Sequence, residues 1–455
     1  MFAKGRLHMK REVKAGIAGL VFGSMLAGCG VAPEQEELGG VEDVTAEAEA
    51  EAAAEAEAEA EAEAEAEAAA PMSAETGPAE SRGYANPAPL ARFWPAVAYG
   101  GGKFLAVWTD VRTGGIYGTR VKPDGTVLDP ADIRINIGDV EGFRPGIGFN
   151  GTHFFVVWES VDGIDAVRVK PDGTVVGPVF NVKQSGETVG PVRVACSPKI
   201  CLVTYTVSGD FSNIFFTRVT KDGVVLDTGD ESLSASDTFA NDASPTWNNK
   251  TKEFLVVWSD EHGQGPENAD IYGNRVKEDG TILDGDGFPI SQAEGAQTTP
   301  DVEWTHKNYQ VVWTDDRNGN ADIFGARVSK TGMVKDPDGI PISTAEGAQA
   351  EPRLAHHNDK SLVVWDDRRD GPHAVWGARW GENGDVWDPS GFPISSGDQP
   401  QEYLPDVAYG GGKFFVVYSG QETFDPLEPH FILGTRVTHQ AQVKDVPALP
   451  LTRQR

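Results

Sequence analysis

The sequence predicts an all-β protein, namely a seven-bladed β-propeller of four-stranded antiparallel blades preceded by a disordered acidic tether. Three observations support this prediction. One phrase recurs seven times at a spacing of roughly 50 residues, and each spacing holds several strand-length segments. The chain ahead of the first repeat lacks the apolar residues that a core needs. The 455 residues therefore divide into a leader (1–28), a tether (29–91) and a propeller (92–455).

Each repeat begins with a proline, continues into an apolar run that ends in an aromatic residue, and closes with an arginine. The prolines are Pro95, Pro145, Pro191, Pro245, Pro300, Pro352 and Pro405. The aromatic residues are Trp108, Trp158, Tyr205, Trp258, Trp313, Trp365 and Tyr418. The arginines, mostly within Gly-x-Arg-Val, are Arg120, Arg168, Arg218, Arg275, Arg327, Arg379 and Arg436. Such repeats form supersecondary units that bury their faces against one another.

The fourth repeat shows how one unit divides into strands. Thr246-Trp247 belongs to the first strand, A, and Glu253 to Trp258 forms strand B. The nearly continuous apolar run in strand B indicates burial on both faces. Ile271 to Val276 forms strand C, and Phe288 to Ser291 forms an outer strand D. The proline of strand D is tolerated because an edge strand need not donate every N–H group.

Two segments could supply the outer strand of the seventh blade. Leu449-Pro450-Leu451-Thr452 matches Phe288-Pro289-Ile290-Ser291, so the C-terminal segment can complete that blade. Alternatively, residues near Tyr84 could close the ring from the N-terminal side. We expect the C-terminal version.

The first 28 residues have the pattern of a secretory signal peptide. Lys4, Arg6, Lys10 and other basic residues precede the short apolar run from Ile17 to Ala27. That run is too short to span a bilayer as a helix.

The tether that follows is dominated by Ala46 to Ala70, where glutamate and alanine nearly alternate. Like charges then meet at every i, i+4 position and repel. We interpret the segment as a solvated spacer; cation sequestration or partner docking through the glutamates is the alternative.

The net charge of −30 limits the classes of partner. An acidic protein is a poor match for nucleic acid or for anionic lipid headgroups. Cationic ligands, divalent metals, proteins and neutral glycans remain compatible.

Cys196 and Cys201 flank a short hairpin turn, Ser-Pro-Lys-Ile, in the third repeat. Facing positions across a hairpin allow disulfide geometry, and an exported protein meets oxidising conditions. We expect a local disulfide here. A redox or metal pair is the alternative, although no histidine lies nearby in the sequence.

The candidate binding face is formed by the loops that connect strands B to C and D to A. The distance from aromatic residue to arginine ranges from ten residues (Trp158 to Arg168) to eighteen (Tyr418 to Arg436). Variable loops on a rigid scaffold are where binding residues concentrate. The candidate residues on this face are Asp110, Arg112, Asp260, Asp315, Asp316, Arg317, Asp322, Asp366, Asp367 and Arg368.

Three interpretations of these acids stay open. They could cap loop amides and pair with Arg112, Arg317 or Arg368. They could form a docking surface for a protein or a sugar. Alternating oxygen donors in one loop could bind Ca²⁺; those donors are Asp316, Asn318, Asn320 and Asp322.

Two motifs resemble known families. Leu26-Ala27-Gly28-Cys29 resembles the lipobox of bacterial lipoproteins, which implies cleavage before Cys29 and lipidation of its sulfur. No aspartate follows Cys29, so the resemblance implies a place at the outer membrane of the cell envelope. Thr314 to Phe324 resembles the repeat of TolB-type propellers and of microbial cell-surface proteins, with weaker copies at Trp108 to Arg112 and Trp365 to Arg368. In blade two, Glu159 is read as replacing the aspartate of this phrase.

These features predict a monomeric, non-catalytic propeller that contacts the membrane only through its lipid and binds a protein or glycan through the B–C and D–A loops. No catalytic triad, zinc spacing or phosphate loop is recognisable, and no cofactor is expected apart from the possible Ca²⁺. The alternative is a propeller glycosidase or lyase acting on envelope or environmental polysaccharide. A glycosidase would need two carboxylates about 5–10 Å apart in the central cleft.

Overall fold

The computed structural model confirms a seven-bladed propeller of four-stranded antiparallel blades. It describes residues 92–452 apart from 139–140, 186–187, 228, 230, 236–237, 263–264, 396–398 and 422–429. In every blade the strands follow one another in the order A-B-C-D from the centre of the ring outwards. Cys29, the tether and Tyr84 lie outside the described residues. Within the described residues, no helix has the length and apolar character needed to cross a membrane.

The strands of the four positions are as follows. Strands A are Arg92–Gly100, Phe143–Phe149, Arg193–Cys196, Ala240–Asn248, Gln297–Trp304, Gln349–His357 and Gln401–Gly410. Strands B are Lys103–Asp110, Phe154–Ser160, Ile200–Ser208, Glu253–Asp260, Asn308–Asp315, Lys360–Asp367 and Lys413–Gln421. Strands C are Gly115–Val121, Gly163–Val169, Ser212–Thr220, Asp270–Lys277, Asp322–Ser329, Ala374–Gly381 and His430–Val437. Strands D are Ile133–Arg134, Val175–Gln184, Glu231–Ser232, Phe288–Ser291, Ile340–Ser343, Phe392–Pro393 and Leu449–Pro450.

Two blades depart from the common plan. In blade three, a short extra strand, Thr188–Val189, precedes strand A and pairs with the same strand B. Blade four has a longer A–B hairpin than the others, so its proline is displaced along strand A. Ser244 there faces Val257, as Ala96 faces Val107 in blade one. Ala243 therefore occupies the place that Pro95 has in blade one, two residues before Pro245. The loop of this hairpin is two residues longer than that of blade one, so Pro245 precedes Trp258 by thirteen residues, just as Pro95 precedes Trp108.

The hydrophobic core is divided among the junctions between neighbouring blades. The described residues form seven clusters, and each combines side chains from two adjacent blades. The aromatic residues of strand B are fully buried in these junctions: Trp108, Trp158, Tyr205, Trp258, Trp313, Trp365 and Tyr418. Apolar area buried in this way contributes roughly 25 cal/mol per Å². The aromatic residue of each repeat is thus a packing residue.

A repeated arginine clamp stabilises six blades and joins five of them to the next blade. The strand C arginine forms a two-pronged ion pair with an aspartate nine residues later in six blades: Arg120–Asp129, Arg218–Asp227, Arg275–Asp284, Arg327–Asp336, Arg379–Asp388 and Arg436–Asp445. In five of these, Nη1 also donates to a carbonyl in the C–D turn of the following blade, as Arg120 does to Pro171 at 3.3 Å. Bidentate pairing of this kind adds both energy and geometric specificity.

Blade two lacks the clamp. Gly177 stands nine residues after Arg168, where the other blades have aspartate. The Nε atom of Arg168 is buried and has no hydrogen-bond partner among the described residues. This blade therefore provides a natural comparison for the other six.

Within the part of the chain that the structure describes, the ring is closed without exchange of strands. Leu449–Pro450 pairs with strand C of blade seven, so the C-terminal segment supplies the outer strand, as expected. Blade one begins with its own strand A, which packs against blade seven. Phe104 and Trp108 of blade one share a core cluster with Phe415 of blade seven. Side-chain packing, and not a shared sheet, therefore holds this junction.

Candidate functional site

Four of the predicted face acids are buried at the end of strand B. Asp110, Asp260, Asp315 and Asp367 are each at most 3% exposed. Each follows the strand B tryptophan by two residues, so both side chains lie on the same side of the strand. The indole N–H of Trp313 donates to Asp315 at 2.7 Å. Blades four and six repeat this bond, at 3.0 Å from Trp258 to Asp260 and 2.8 Å from Trp365 to Asp367.

An arginine two residues after the aspartate completes the same loop. Arg317 donates to Asp315 from its backbone N–H at 3.1 Å and from Nε at 2.7 Å. Arg112 pairs with Asp110 in the same way. These contacts give the acids the geometry of loop caps.

The corresponding arginine in blade six is Arg369, and the prediction that Arg368 pairs there was wrong. Arg369 donates to Asp367 from its backbone N–H and from Nε, both at 2.9 Å. Arg368 is exposed. The loop requires the arginine two residues after the aspartate, and blade six has two consecutive aspartates, of which the second is the capping residue. The first, Asp366, instead contacts Nδ1 of His373 at 2.6 Å.

The alignment of blade two also needs correction. Glu159 faces Phe143, as Thr109 faces Phe93 in blade one. Ser160, and not Glu159, therefore occupies the place of the capping aspartate. Burial raises the pKa of Glu159 to about 7, and its Oε1 lies 3.8 Å from Nη1 of Arg144.

Three of the four oxygen donors considered for Ca²⁺, namely Asn318, Asn320 and Asp322, are joined by hydrogen bonds. The side-chain amides of Asn318 and Asn320 donate to the two oxygens of Asp322, at 2.7 and 3.0 Å. Asp322 is buried, whereas Asp316 is exposed. Burial and the charges of Asp315 and Asp322 raise the pKa of Asp316. Both oxygens of the Asp322 carboxylate, which a cation would need as ligands, thus already accept hydrogen bonds from side-chain amides.

The cysteines lie across the A–B hairpin of blade three, on the opposite face of the ring from these loops. Cys196 and Cys201 are register partners and are joined by a disulfide with an S–S distance of 2.04 Å.

The central channel opens on the B–C and D–A face as a funnel of about 230 Å³. Its rim is formed by one residue from each blade, close to the beginning of strand A: Trp94, Arg144, Pro191, Asp242, Thr299, Glu351 and Leu404. Six of these, all except Pro191, lie in β-bulges and have left-handed backbones with φ between 46° and 58°. Bulges re-aim side chains and are frequent beside functional sites.

Below the rim, strand A alternation places every second residue in the channel. The second layer is Ala96, Gly146, Arg193, Ser244, Asp301, Arg353 and Asp406. One pleat further, Glu303 is the charged residue of the next layer. Sequence reasoning missed this charged cluster. A signal was present, because Arg193, Asp301, Arg353 and Asp406 all lie twelve residues before the aromatic end of strand B.

The channel acids of the second layer are bound to neighbouring blades. Oδ2 of Asp301 accepts from the backbone N–H of Leu354 at 3.0 Å, and Oδ1 accepts from the hydroxyl of Ser244 at 2.6 Å. Oδ2 of Asp406 accepts from the N–H of Val97 at 2.8 Å, across the junction that closes the ring.

Burial shifts the titration of the acids in the channel. It raises the pKa of Asp406 to about 6. It raises that of Glu303 to about 8, and the charge of Asp301 acts in the same direction. Burial likewise raises the pKa of Glu351 at the rim. Displaced pKa values of this kind concentrate at functional sites.

The basic groups of the second layer come from blades three and six. The positive charge of Arg353 is the largest cause that lowers the pKa of Arg193, and burial lowers it further. Nη1 of Arg353 donates to the backbone carbonyl of Pro352 at 2.8 Å.

No protein-family model and no curated protein sequence matches the chain. Among solved structures, a puromycin hydrolase S511A mutant is 15% identical with a TM-score of 0.49, over 77% of this chain and 53% of that chain. The chain thus spans about half the length of that hydrolase. The β-propeller domain of the Trilobed protease from Pyrococcus furiosus, described as having an open velcro topology, is 10% identical with a TM-score of 0.46, over 80% of this chain and 98% of that domain. A thermostable family-43 glycoside hydrolase is 12% identical with a TM-score of 0.41, over 68% of this chain and 94% of that chain. The chain is similar to peptidase and glycosidase propeller domains in fold alone.

Proposed function

We propose that this protein is a non-catalytic binding propeller that takes a glycan or protein partner at the funnel on its B–C and D–A face. The observation that supports this most directly is the rim. Six blades repeat one left-handed bulge but place six different side chains on it: Trp94, Arg144, Asp242, Thr299, Glu351 and Leu404. A repeated backbone with unrepeated side chains is the arrangement expected where a scaffold presents specificity.

The chemistry of the rim suits a polar partner with one apolar face. Trp94 offers an aromatic surface, with the guanidinium of Arg144 5.2 Å from its ring centroid. Asp242, Thr299 and Glu351 supply oxygen atoms that accept hydrogen bonds from hydroxyl or amide groups. Ligand sites combine apolar walls with a few placed polar groups in this way.

We further propose that the propeller is displayed from a bacterial cell envelope by a lipid on Cys29, with the outer membrane as its location and TolB-type propellers as its relatives. The lipobox-like Leu26-Ala27-Gly28-Cys29 and the repeat phrase support this. Growth with radiolabelled palmitate tests the anchor. The wild type should take up label and fractionate with membranes, and Cys29→Ser should do neither.

A glycan array probed with the detergent-solubilised full-length chain tests the binding function. Trp94→Ala and Glu351→Gln should each weaken the hits at least tenfold. Asp316→Asn is the matched control, because Asp316 is exposed on the same face but does not line the funnel. Hits that survive both rim substitutions would place the binding surface elsewhere.

A propeller glycosidase or lyase is the second candidate, and the pair Asp301 and Glu303 favours it. The two lie two residues apart on one strand face, so their backbones are about 7 Å apart. Burial raises the pKa of Glu303 to about 8, so this side chain is protonated at neutral pH. A pair of carboxyl groups, one of them held protonated by burial, is the arrangement glycosidases use. Product formation from array hits, abolished by Glu303→Gln, would establish catalysis; binding without turnover excludes it.

A further inference from the structure

We infer that Arg193 and Arg353 hold a carboxylate group in the second layer of the funnel, and that the ligand is therefore a glycan containing a uronic acid. This inference rests on the proposed function, because it names the chemical class of ligand for the same funnel.

The first argument is the state of the two guanidinium groups. They enter the channel from blades three and six and line the same cavity. Among the described residues, no carboxylate oxygen lies within ion-pairing distance, 4.0 Å, of either group. The one direct bond given by either side chain is that of Arg353 to the Pro352 carbonyl. Confined charges in proteins are normally paired, because like charges in a narrow channel cost free energy.

The second argument is that the nearby acids already have partners. Asp301 accepts hydrogen bonds from Ser244 and from the N–H of Leu354. Asp406 accepts one from the N–H of Val97. These bonds hold the carboxylates against the wall, between adjacent blades. The guanidinium groups are left facing the lumen, where a planar carboxylate matches their fork-like donors.

The third argument concerns what carries the carboxylate. Asp242, Glu351, Asp301 and Asp406 line the same funnel, so a phosphate with two negative charges meets strong repulsion. A single carboxylate carries one negative charge instead of two, so the repulsion it meets is weaker. Sugar hydroxyls donate to the remaining lone pairs of these acids, and the indole of Trp94 at the rim can lie against a sugar ring.

A peptide terminus fits less well than a uronic acid. Its carboxylate would suit the arginines, but a basic side chain next to it would need an ionised partner. Burial favours the protonated form of Asp406, and Asp301 already accepts two hydrogen bonds. Neutral hydroxyl donors need neither Asp301 nor Asp406 to carry an unpaired negative charge.

Titration calorimetry of the detergent-solubilised full-length chain tests the inference, with a trisaccharide of one galacturonic acid and two galactose residues as the probe and galactotriose as its neutral counterpart. The acidic trisaccharide should bind at least tenfold more tightly than the neutral one. Arg193→Gln and Arg353→Gln should each remove most of that preference. Arg168→Gln is the matched control, since Arg168 lies in strand C outside the channel and has an unpartnered Nε among the described residues.

Thermal unfolding without ligand separates a binding role from a structural one. Arg193→Gln removes the repulsion from Arg353, so its melting temperature should equal or exceed that of the wild type by about 1–3 °C. A fall of several degrees would show that Arg193 supports the fold instead.

Equal affinity for the two trisaccharides, no binding of the acidic one, or full binding by both arginine variants would overturn the inference. Binding of a C-terminal peptide carboxylate in place of the uronate would overturn it as well. Each of these results leaves the proposed function standing if neutral glycans or proteins bind and Trp94→Ala abolishes their binding. Loss of all array hits would instead remove the proposed function.

Discussion

Arg436 of blade seven donates a hydrogen bond from Nη1 to the backbone carbonyl of Pro123 in blade one, at 3.2 Å. The same guanidinium pairs with Asp445 of its own blade at 3.0 and 2.7 Å. It also lies over Gly125, where a Cβ atom would come within 2.8 Å of the arginine Cζ. The last blade thus joins the first through the same clamp that is found at four other junctions.

We expect Arg436→Ala to lower the free energy of unfolding by about 2 kcal/mol, because it leaves a largely buried Asp445 without its cation. Arg168→Ala should cost less than about 1 kcal/mol, because blade two has no aspartate at the corresponding position. Urea unfolding followed by tryptophan fluorescence measures both. Equal losses for the two variants would contradict a role for the ion pair.

Ala441 offers a test of the turn that receives the clamp. Its φ is 61°, at the place where Gly125 stands in blade one and Gly332 in blade five. Left-handed backbone costs a non-glycine residue about 1–2 kcal/mol, and part of this is offset by the chain entropy of glycine. Ala441→Gly should therefore stabilise the protein by about 0.5–1 kcal/mol. Gly332→Ala should destabilise it by at least as much, and a result of the same sign for both variants would refute the argument.

Two adjacent aspartates in blade five should respond differently to the same substitution. Asp315→Asn should cost about 2 kcal/mol, since the buried carboxylate accepts from Trp313 and pairs with Arg317. Asp316→Asn should change stability by less than about 0.5 kcal/mol, because Asp316 is exposed. Chemical denaturation of both variants is the measurement. A large loss from Asp316→Asn would mean that this loop depends on a charge that the contacts do not reveal.

Glu303 should make stability depend on pH. Its native pKa is about 8 and its ordinary value is 4.5. The native state therefore favours the protonated acid, and its stability contribution is complete below about pH 4.5 and lost as the pH rises through about 8. Glu303→Gln cannot ionise, so it should match the wild type at pH 4 and exceed it by about 4–5 kcal/mol at pH 9.

Unfolding measured at intervals between pH 4 and 9 follows this difference. Glu346→Gln, at an exposed position, serves as the control and should parallel the wild type throughout. A constant difference between Glu303→Gln and the wild type across the range would show that the carboxylate stays ionised in the channel.

The fold could be predicted because the residues that determine it recur in every blade. The strand B aromatic residues and strand C arginines recur since each junction between blades poses the same packing problem. Where a blade departs from the common pattern, the alignment of its strands with those of the other blades was predicted incorrectly. Pro245 is displaced by a longer hairpin, and Glu159 precedes the capping position by one residue.

The candidate site could not be predicted in the same way, because its residues are those that do not repeat. Arg193 and Asp301 occupy the same position of strand A as Ala96 and Gly146 in other blades. No residue type therefore recurs at this position to mark it in the sequence. The acids that do repeat, such as Asp315, were predicted to form the binding face, but they are buried and cap the B–C loops. Only the register of strand A against strand B shows which side chains reach the channel.

The closure of the ring without strand exchange has a mechanical consequence. The sheets of blades one and seven meet at the one junction that the chain between residues 92 and 452 does not cross, and side-chain packing with single hydrogen bonds holds it. A pulling force applied at residues 92 and 452 would load that junction in shear before any blade. The expected first event in a force-extension experiment is therefore separation of the first and last blades, with every four-stranded sheet still intact.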